Sequence, residues 1–88
     1  MLLREVVNLA RVYGWLHYHT LYSLGSEEGF PDLVLVRGNR MLFVELKRSQ
    51  KERLRPAQKV WHEAINRANR VCLVWTPELW DEIRKLMR

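Results

Sequence analysis

The amino-acid sequence predicts an α/β fold, a small mixed β-sheet flanked by helices, with elements in the order α-β-β-β-α-β-α. Three observations predict it. Apolar residues recur at helical spacing over Leu2–Tyr13 and again after Pro56. Two β-favouring runs flank Arg37-Gly38-Asn39-Arg40, whose Gly-Asn centre is a two-residue hairpin signal. A last apolar run, Val71–Trp75, lies between two helical stretches, so the sheet combines a hairpin with a strand that follows a helix.

The elements follow in chain order. In the first helix Leu2, Val6, Leu9, Ala10 and Tyr13 fall on one side and Arg4, Asn8 and Arg11 on the other, with Gly14 as its terminator. Trp15–Leu21 is rich in aromatic and β-favouring residues and reads as a partly exposed strand. Tyr22–Pro31, with Ser23, Gly25, Ser26 and Gly29, reads as a loop leading into Asp32. Leu33–Val36 and Met41–Leu46 are strands, apolar at successive positions as if both faces were covered. Pro56 suits a first helical position, and the helix it opens is expected to bury Ala57, Val60, Trp61, Ala64, Ile65 and Ala68 before ending near Asn69. Pro77 opens a short final helix to about Arg88.

With 88 residues the chain has room for one domain, 1–88. So short a chain buries only about 60 to 70% of its unfolded surface, which makes pairing with a second copy attractive. A formal charge of +5 points to a polyanionic partner such as nucleic acid, although charge alone does not separate DNA from RNA. The single cysteine, Cys72, excludes an internal disulfide and a multi-cysteine zinc site, and its apolar neighbours read it as a buried small residue. No apolar run approaches the roughly 18 residues of a membrane span, so no membrane partner is expected and the cytoplasm is the expected compartment.

The chemistry is concentrated at the open end of the hairpin. If Gly38 and Asn39 form the loop, Arg37 pairs with Arg40, and pairing continues outward until Asp32 faces Glu45, with Cβ atoms about 4.5–5.5 Å apart. Glu45 and Lys47 are two apart on a strand and share a face, so Asp32, Glu45 and Lys47 form one cluster. Adjacent carboxylates repel unless a proton or cation lies between them. Mg²⁺ suits two carboxylates completed by water and phosphate oxygens, and Lys47 would position the attacking water and stabilise charge on phosphorus. The bland alternative makes Asp32 a turn cap and Glu45 and Lys47 a solvated pair. It conflicts with their place after four apolar residues in a central strand, where unpaired burial is costly.

Gly29-Phe30-Pro31-Asp32-Leu33, then Glu45-Leu46-Lys47, then Gln58 early in a helix resembles the virus-type replication-repair nuclease (VRR-NUC) domain, over roughly Glu5 to Trp75. That family belongs to the PD-(D/E)XK, restriction-endonuclease-like superfamily. The resemblance implies a Mg²⁺- or Mn²⁺-dependent nuclease with Asp32, Glu45 and the Leu46 carbonyl as metal ligands and Lys47 beside the water. It also implies homodimers resembling Holliday-junction resolvases and a place in DNA repair in a bacterial or phage-infected cell. Gln58 matches an active-site helix position, against a bland reading as a solvated flank residue. Glu5 matches the family's first-helix acid. By helical phase Glu5 falls within the apolar arc between Leu9 and Val12, where it serves either a metal-bound water or, snorkelling, the helix dipole.

Arg55, a poor N-cap, stands where the family often has a small capping residue. A DNA phosphate is expected at this helix start, with Arg48, Lys51, Arg53, Arg55 and Lys59 as contacts, against a bland reading of the basic run as a solvated linker. His17 and His19 alternate on the first strand but make a weak zinc signal without a third ligand, so they and His62 read as surface residues. Trp61, Trp75 and Trp80 read as core or interface residues, with Trp80 a possible dimer anchor. The reading is a metal-dependent endonuclease cutting DNA, structure-selective for four-way junctions as a homodimer. A flap or nicking nuclease and a non-catalytic basic accessory module are the alternatives.

Overall fold

The computed structural model describes residues 1–21 and 27–88. Part of the expected loop, residues 22–26 with Ser23, Gly25 and Ser26, lies outside the described residues. The order is helix α1 (Leu2–Val12), strands β1 (Leu16–His19), β2 (Leu33–Arg37) and β3 (Arg40–Leu46), helix α2 (Pro56–Arg67), strand β4 (Val71–Trp75), a 3₁₀ turn at Pro77–Leu79 and helix α3 (Trp80–Met87). The strands lie in the order β1-β2-β3-β4; β1 pairs with β2 and β2 with β3 in antiparallel fashion, and β4 joins β3 in parallel after the α2 crossover. This is the mixed α/β architecture that the hairpin and the late strand predict.

The β2–β3 turn sets the register on which the site depends. Gly38 takes a positive φ of 59° and Asn39 does not, as a type II′ turn requires at its first central position. Arg37 then pairs with Arg40 and Leu33 with Val44. Asp32, one residue before β2, is thereby carried to the level of Glu45.

One face of the sheet is dry. Leu33, Leu35, Leu42, Val44 and Trp75 form a continuous core with Leu2, Val6 and Ala10 of α1 and Ile83 and Met87 of α3. Each fully buried aliphatic side chain there contributes roughly 1.5–3 kcal/mol. Arg37 and Arg40 reach past the Trp15 ring, 4.6 and 4.9 Å from its centroid, and donate to carbonyls of residues 86–88 at the end of α3. The guanidinium groups thus satisfy the carbonyls that a helix C-terminus leaves without partners.

The opposite face is covered only in part, which corrects the expectation of strands enclosed on both sides. Met41 is exposed and Val34, Phe43 and Val36 are half-buried. Helix α2 crosses this face through the edge-to-face contacts Phe30–Phe43 and Phe30–Trp61. Its covered stripe is also not the aliphatic one: Val60 is 67% exposed and Ala64 and Ala68 are exposed, whereas Gln58 and Ile65 are buried. A polar side chain turns inward here because polar partners wait beneath it.

Two contacts fix α2 over the sheet. The Asn66 side chain accepts from the Cys72 backbone N–H at 3.0 Å and donates to the Cys72 carbonyl at 3.2 Å, joining the helix end to the start of β4. At the other end Gly29, φ 91°, lies so close to the helix that a Cβ would stand 2.5 Å from the Ala57 carbonyl carbon and oxygen. Only glycine allows both that conformation and that approach.

Candidate active site

Where the antiparallel pairing of β2 and β3 ends, the chain brings four polar side chains together. Asp32 is held from two sides. Its backbone carbonyl accepts from Thr20 N–H at 2.8 Å, beyond the end of β1, and its Oδ2 accepts from Leu46 N–H at 2.8 Å, across the hairpin. The side chain of Thr20 adds a 2.8 Å bond to the Pro31 carbonyl. Asp32 thus reaches the register position opposite Glu45 that the turn predicts.

Glu45 and Lys47 are 5% and 8% exposed, and Gln58 of α2 is 5% exposed. Gln58 links them: its Nε2 donates to Glu45 Oε1 at 2.8 Å, and its Oε1 accepts from Lys47 Nζ at 2.8 Å. The same Oε1 accepts from the Arg55 backbone N–H at 2.8 Å, which is the return half of a capping box. Arginine offers no acceptor for the other half, so the α2 N-terminus keeps N–H groups free of side-chain caps. Burial excludes the solvated-flank reading of Gln58 and the solvated-pair reading of Glu45 and Lys47.

The electrostatics follow from this packing. Burial, the negative charge of Asp32 and a hydrogen bond shared with it raise the Glu45 carboxyl from 4.5 to about 7, only partly offset by Lys47 and Arg55. Two carboxylates that hold a proton between them near neutrality would release it to a cation. Burial and the Glu45 charge also push the Cys72 thiol up to about 11, so it is no nucleophile at neutral pH. No group of three or more His, Cys, Asp or Glu side chains gathers among the described residues. Two carboxylates, a neighbouring backbone carbonyl such as that of Leu46, and open positions for water and phosphate suit Mg²⁺ or Mn²⁺, which take hard oxygen ligands and keep several waters.

Not every expected residue joins the cluster. Glu5 is half-exposed and its ion pair is with the Met1 amino group, 3.3 Å away. Leu2, Val6 and Ala10 fill the buried face of α1, and the long Glu5 side chain leaves that arc for solvent. His17 and His19 are exposed on β1, Cys72 is buried, and Trp80 packs partly buried against the core. Arg48, Lys51, Arg53, Arg55 and Lys59 are all exposed, in the segment leaving β3 and on the first turns of α2.

Two neighbours of the cluster escape a reading of the sequence. Glu52, the one acid within the basic run, accepts from Arg48 N–H at 3.0 Å through Oε1, and its Oε2 lies 3.8 Å from Lys47 Nζ. Thr76 is 2% exposed beyond the end of β4. An acid alone among arginines and lysines was the available signal for the first; Thr76 gives none without the β3–β4 register.

Comparison with known proteins bears on the family and the fold. The family model of the VRR-NUC domain matches residues 11–75, a span that contains Asp32, Glu45, Lys47 and Gln58 and leaves Glu5 outside. A solved structure described as a VRR_NUC domain protein aligns with a TM-score of 0.62 and 23% identity, over 81% of this chain and 63% of that one. The chain therefore spans a little under two thirds of that relative and shares its fold. Among curated proteins none matches. With the family model covering most of its length, the chain belongs to the VRR-NUC family of nucleases.

Proposed function

We propose that this protein is a divalent-metal-dependent endonuclease that hydrolyses DNA phosphodiester bonds, acting as a homodimer with a preference for branched substrates such as four-way junctions. The observation that carries the reading is the buried chain Glu45–Gln58–Lys47 with Asp32 beside it. Glu45, a carboxyl of raised proton affinity, and the Lys47 ammonium are buried together, at a cost in desolvation that a bound ligand would offset. Asp32, Glu45 and the Leu46 carbonyl would hold Mg²⁺ or Mn²⁺, which when bound polarises the phosphate and lowers the pKa of water.

The residues of the chain supply the rest. Gln58 orients one oxygen of Glu45 and fixes the direction of the Lys47 ammonium. Lys47 then stabilises charge gathering on the phosphate oxygens and positions the attacking water. Leu46 N–H holds Asp32 Oδ2 and so fixes the carboxylate beside Glu45, where it would serve as a ligand. Arg48, Lys51, Arg53, Arg55 and Lys59 present an exposed basic track beside the uncapped start of α2, suited to the DNA backbone. The edge strand β1, with Leu16 75% and Tyr18 62% exposed, offers apolar surface for a second copy.

Incubation of the protein with labelled linear, flap and four-way DNA, with and without Mg²⁺ or Mn²⁺, tests the proposal. Metal-dependent cutting concentrated on four-way DNA supports it. Cutting of flaps alone would replace the junction preference, and binding without cutting under either metal would reject the enzyme in favour of an accessory module.

A further inference from the structure

The parallel pairing of β3 with β4 sets Glu45 against Val74 and Leu46 against Trp75, and its next rung is Lys47 N–H to the Trp75 carbonyl at 2.9 Å. Continued by one residue, the register places Thr76 beside Lys47. Paired residues of parallel strands point to the same face, and Trp75 faces the dry core, so Thr76 lies on the side of Glu45 and Lys47.

The Thr76 hydroxyl is fully buried and has no hydrogen-bond partner among the described residues. Thr76 is the N-cap of the Pro77–Leu79 turn but caps none of its N–H groups, and its approach to the exposed Glu78 carboxyl, which it helps to lower after the larger effect of backbone N–H bonds, falls short of hydrogen-bond geometry. For stability alone valine fits such a position better, because it has the same shape and no polar atom to leave unmatched. A bare buried hydroxyl therefore points to a partner that comes and goes.

The ammonium of Lys47 has three N–H groups. One is committed to Gln58 Oε1, and Glu52 Oε2 at 3.8 Å is an ion pair too long for a hydrogen bond. The site thus holds an ammonium with donors to spare and, on the same face and at the adjacent register position, a hydroxyl with an acceptor to spare.

We propose that Thr76 is a positioning residue for Lys47: when a DNA phosphate takes the place of the Glu52 carboxylate, the ammonium is held between Gln58 Oε1 and Thr76 Oγ1. The inference rests on the endonuclease reading above. It gives Lys47 two fixed acceptors from two different elements, α2 and the end of β4, and so confines the ammonium to one direction. Glu52 supplies its negative charge only while the site is empty of substrate.

The test compares Thr76→Val and Thr76→Ser by single-turnover cleavage at saturating DNA. Thr76→Val is expected to lower the cleavage rate about tenfold, at the low end of the loss that follows removal of a supporting hydrogen bond, and Thr76→Ser to restore most of it. KM should stay level, and the thermal midpoint of Thr76→Val should equal or exceed that of the wild type. Wild-type cleavage by Thr76→Val, or a Thr76→Ser variant as slow as the valine, overturns the proposal. A second measurement needs no cleavage: hydrogen exchange of the Lys47 ammonium at fixed pH, with DNA and Ca²⁺ bound, should be faster in Thr76→Val, and equal exchange overturns the proposal as well. Should the wild type cut no DNA under Mg²⁺ or Mn²⁺, the nuclease reading fails, while the exchange measurement still decides the contact.

Discussion

Gln58→Ala removes the side chain that is bonded to both Glu45 and Lys47. Its three 2.8 Å bonds, to Glu45 Oε1, Lys47 Nζ and the Arg55 N–H, are lost together. The Arg55 N–H lies at an exposed residue and is rehydrated at little cost. Glu45 and Lys47 are buried, and leaving such a group short of a partner costs about 1–3 kcal/mol each. Water entering the vacated space brings both toward the lower bound, for a total of about 2 kcal/mol. In a domain of this size that lowers the melting midpoint by roughly 8–16 °C. Cleavage should fall by about 10- to 100-fold, because the orientations of the acid and the ammonium are both released. Circular dichroism melts and single-turnover cleavage measure the two effects. A Gln58→Ala protein that melts within about 2 °C of the wild type, against the several degrees expected per kcal/mol, and cuts at the wild-type rate would refute the argument that Gln58 organises the site.

Three further expectations follow from other parts of the structure. The Glu45 carboxyl is raised to about 7 from an ordinary 4.5, so metal-free protein is relieved of its penalty below about 4.5 and loses stability as pH rises to 7; urea unfolding at pH 5 and pH 8 should show this loss, and Glu45→Gln should reduce it. Gly29→Ala puts a Cβ 2.5 Å from the Ala57 carbonyl at a φ of 91°, which should cost about 3 kcal/mol in denaturant unfolding through strain and overpacking, and a loss under about 0.5 kcal/mol would contradict it. Arg55→Ala should reduce the slope of log affinity against log salt by about 0.9, as expected for one lost phosphate contact, and an unchanged slope would remove Arg55 from the DNA track.

The hairpin was legible because its determinants are local. Gly38-Asn39 dictates the turn, the turn dictates the register, and the register carries Asp32 to Glu45. The periods of α1 and α2 were equally legible, and Pro77 marked the start of the last helical segment. The covered side of α2 was not. Val60, Ala64 and Ala68 look like a core stripe, yet the surface beneath α2 is part aromatic and part polar site, so Gln58 is buried and Val60 faces water. Glu5 misled for a related reason: helical phase gives the direction of Cα–Cβ, and a side chain as long as glutamate departs from it to reach solvent and the Met1 amine. Thr76 depends on a pairing between segments separated by an entire helix, which no local spacing encodes.

The same contrast explains how so small a domain can carry a charged cluster at all. Burying Glu45 and Lys47 is opposed by desolvation, and an ion pair seldom recovers that cost inside a protein. Here the opposition is reduced in three ways. Burial and the neighbouring Asp32 raise the Glu45 carboxyl to about 7, which favours its neutral form, Lys47 finds a neutral amide as its bonded partner, and Leu46 N–H satisfies Asp32 from the backbone. The dry core on the other face, from Leu33 to Met87, supplies the stability that the polar face consumes. Division of the sheet into one face for folding and one for chemistry therefore follows from the parity of a strand: Val44 and Leu46 belong to the first, and Glu45 and Lys47 to the second.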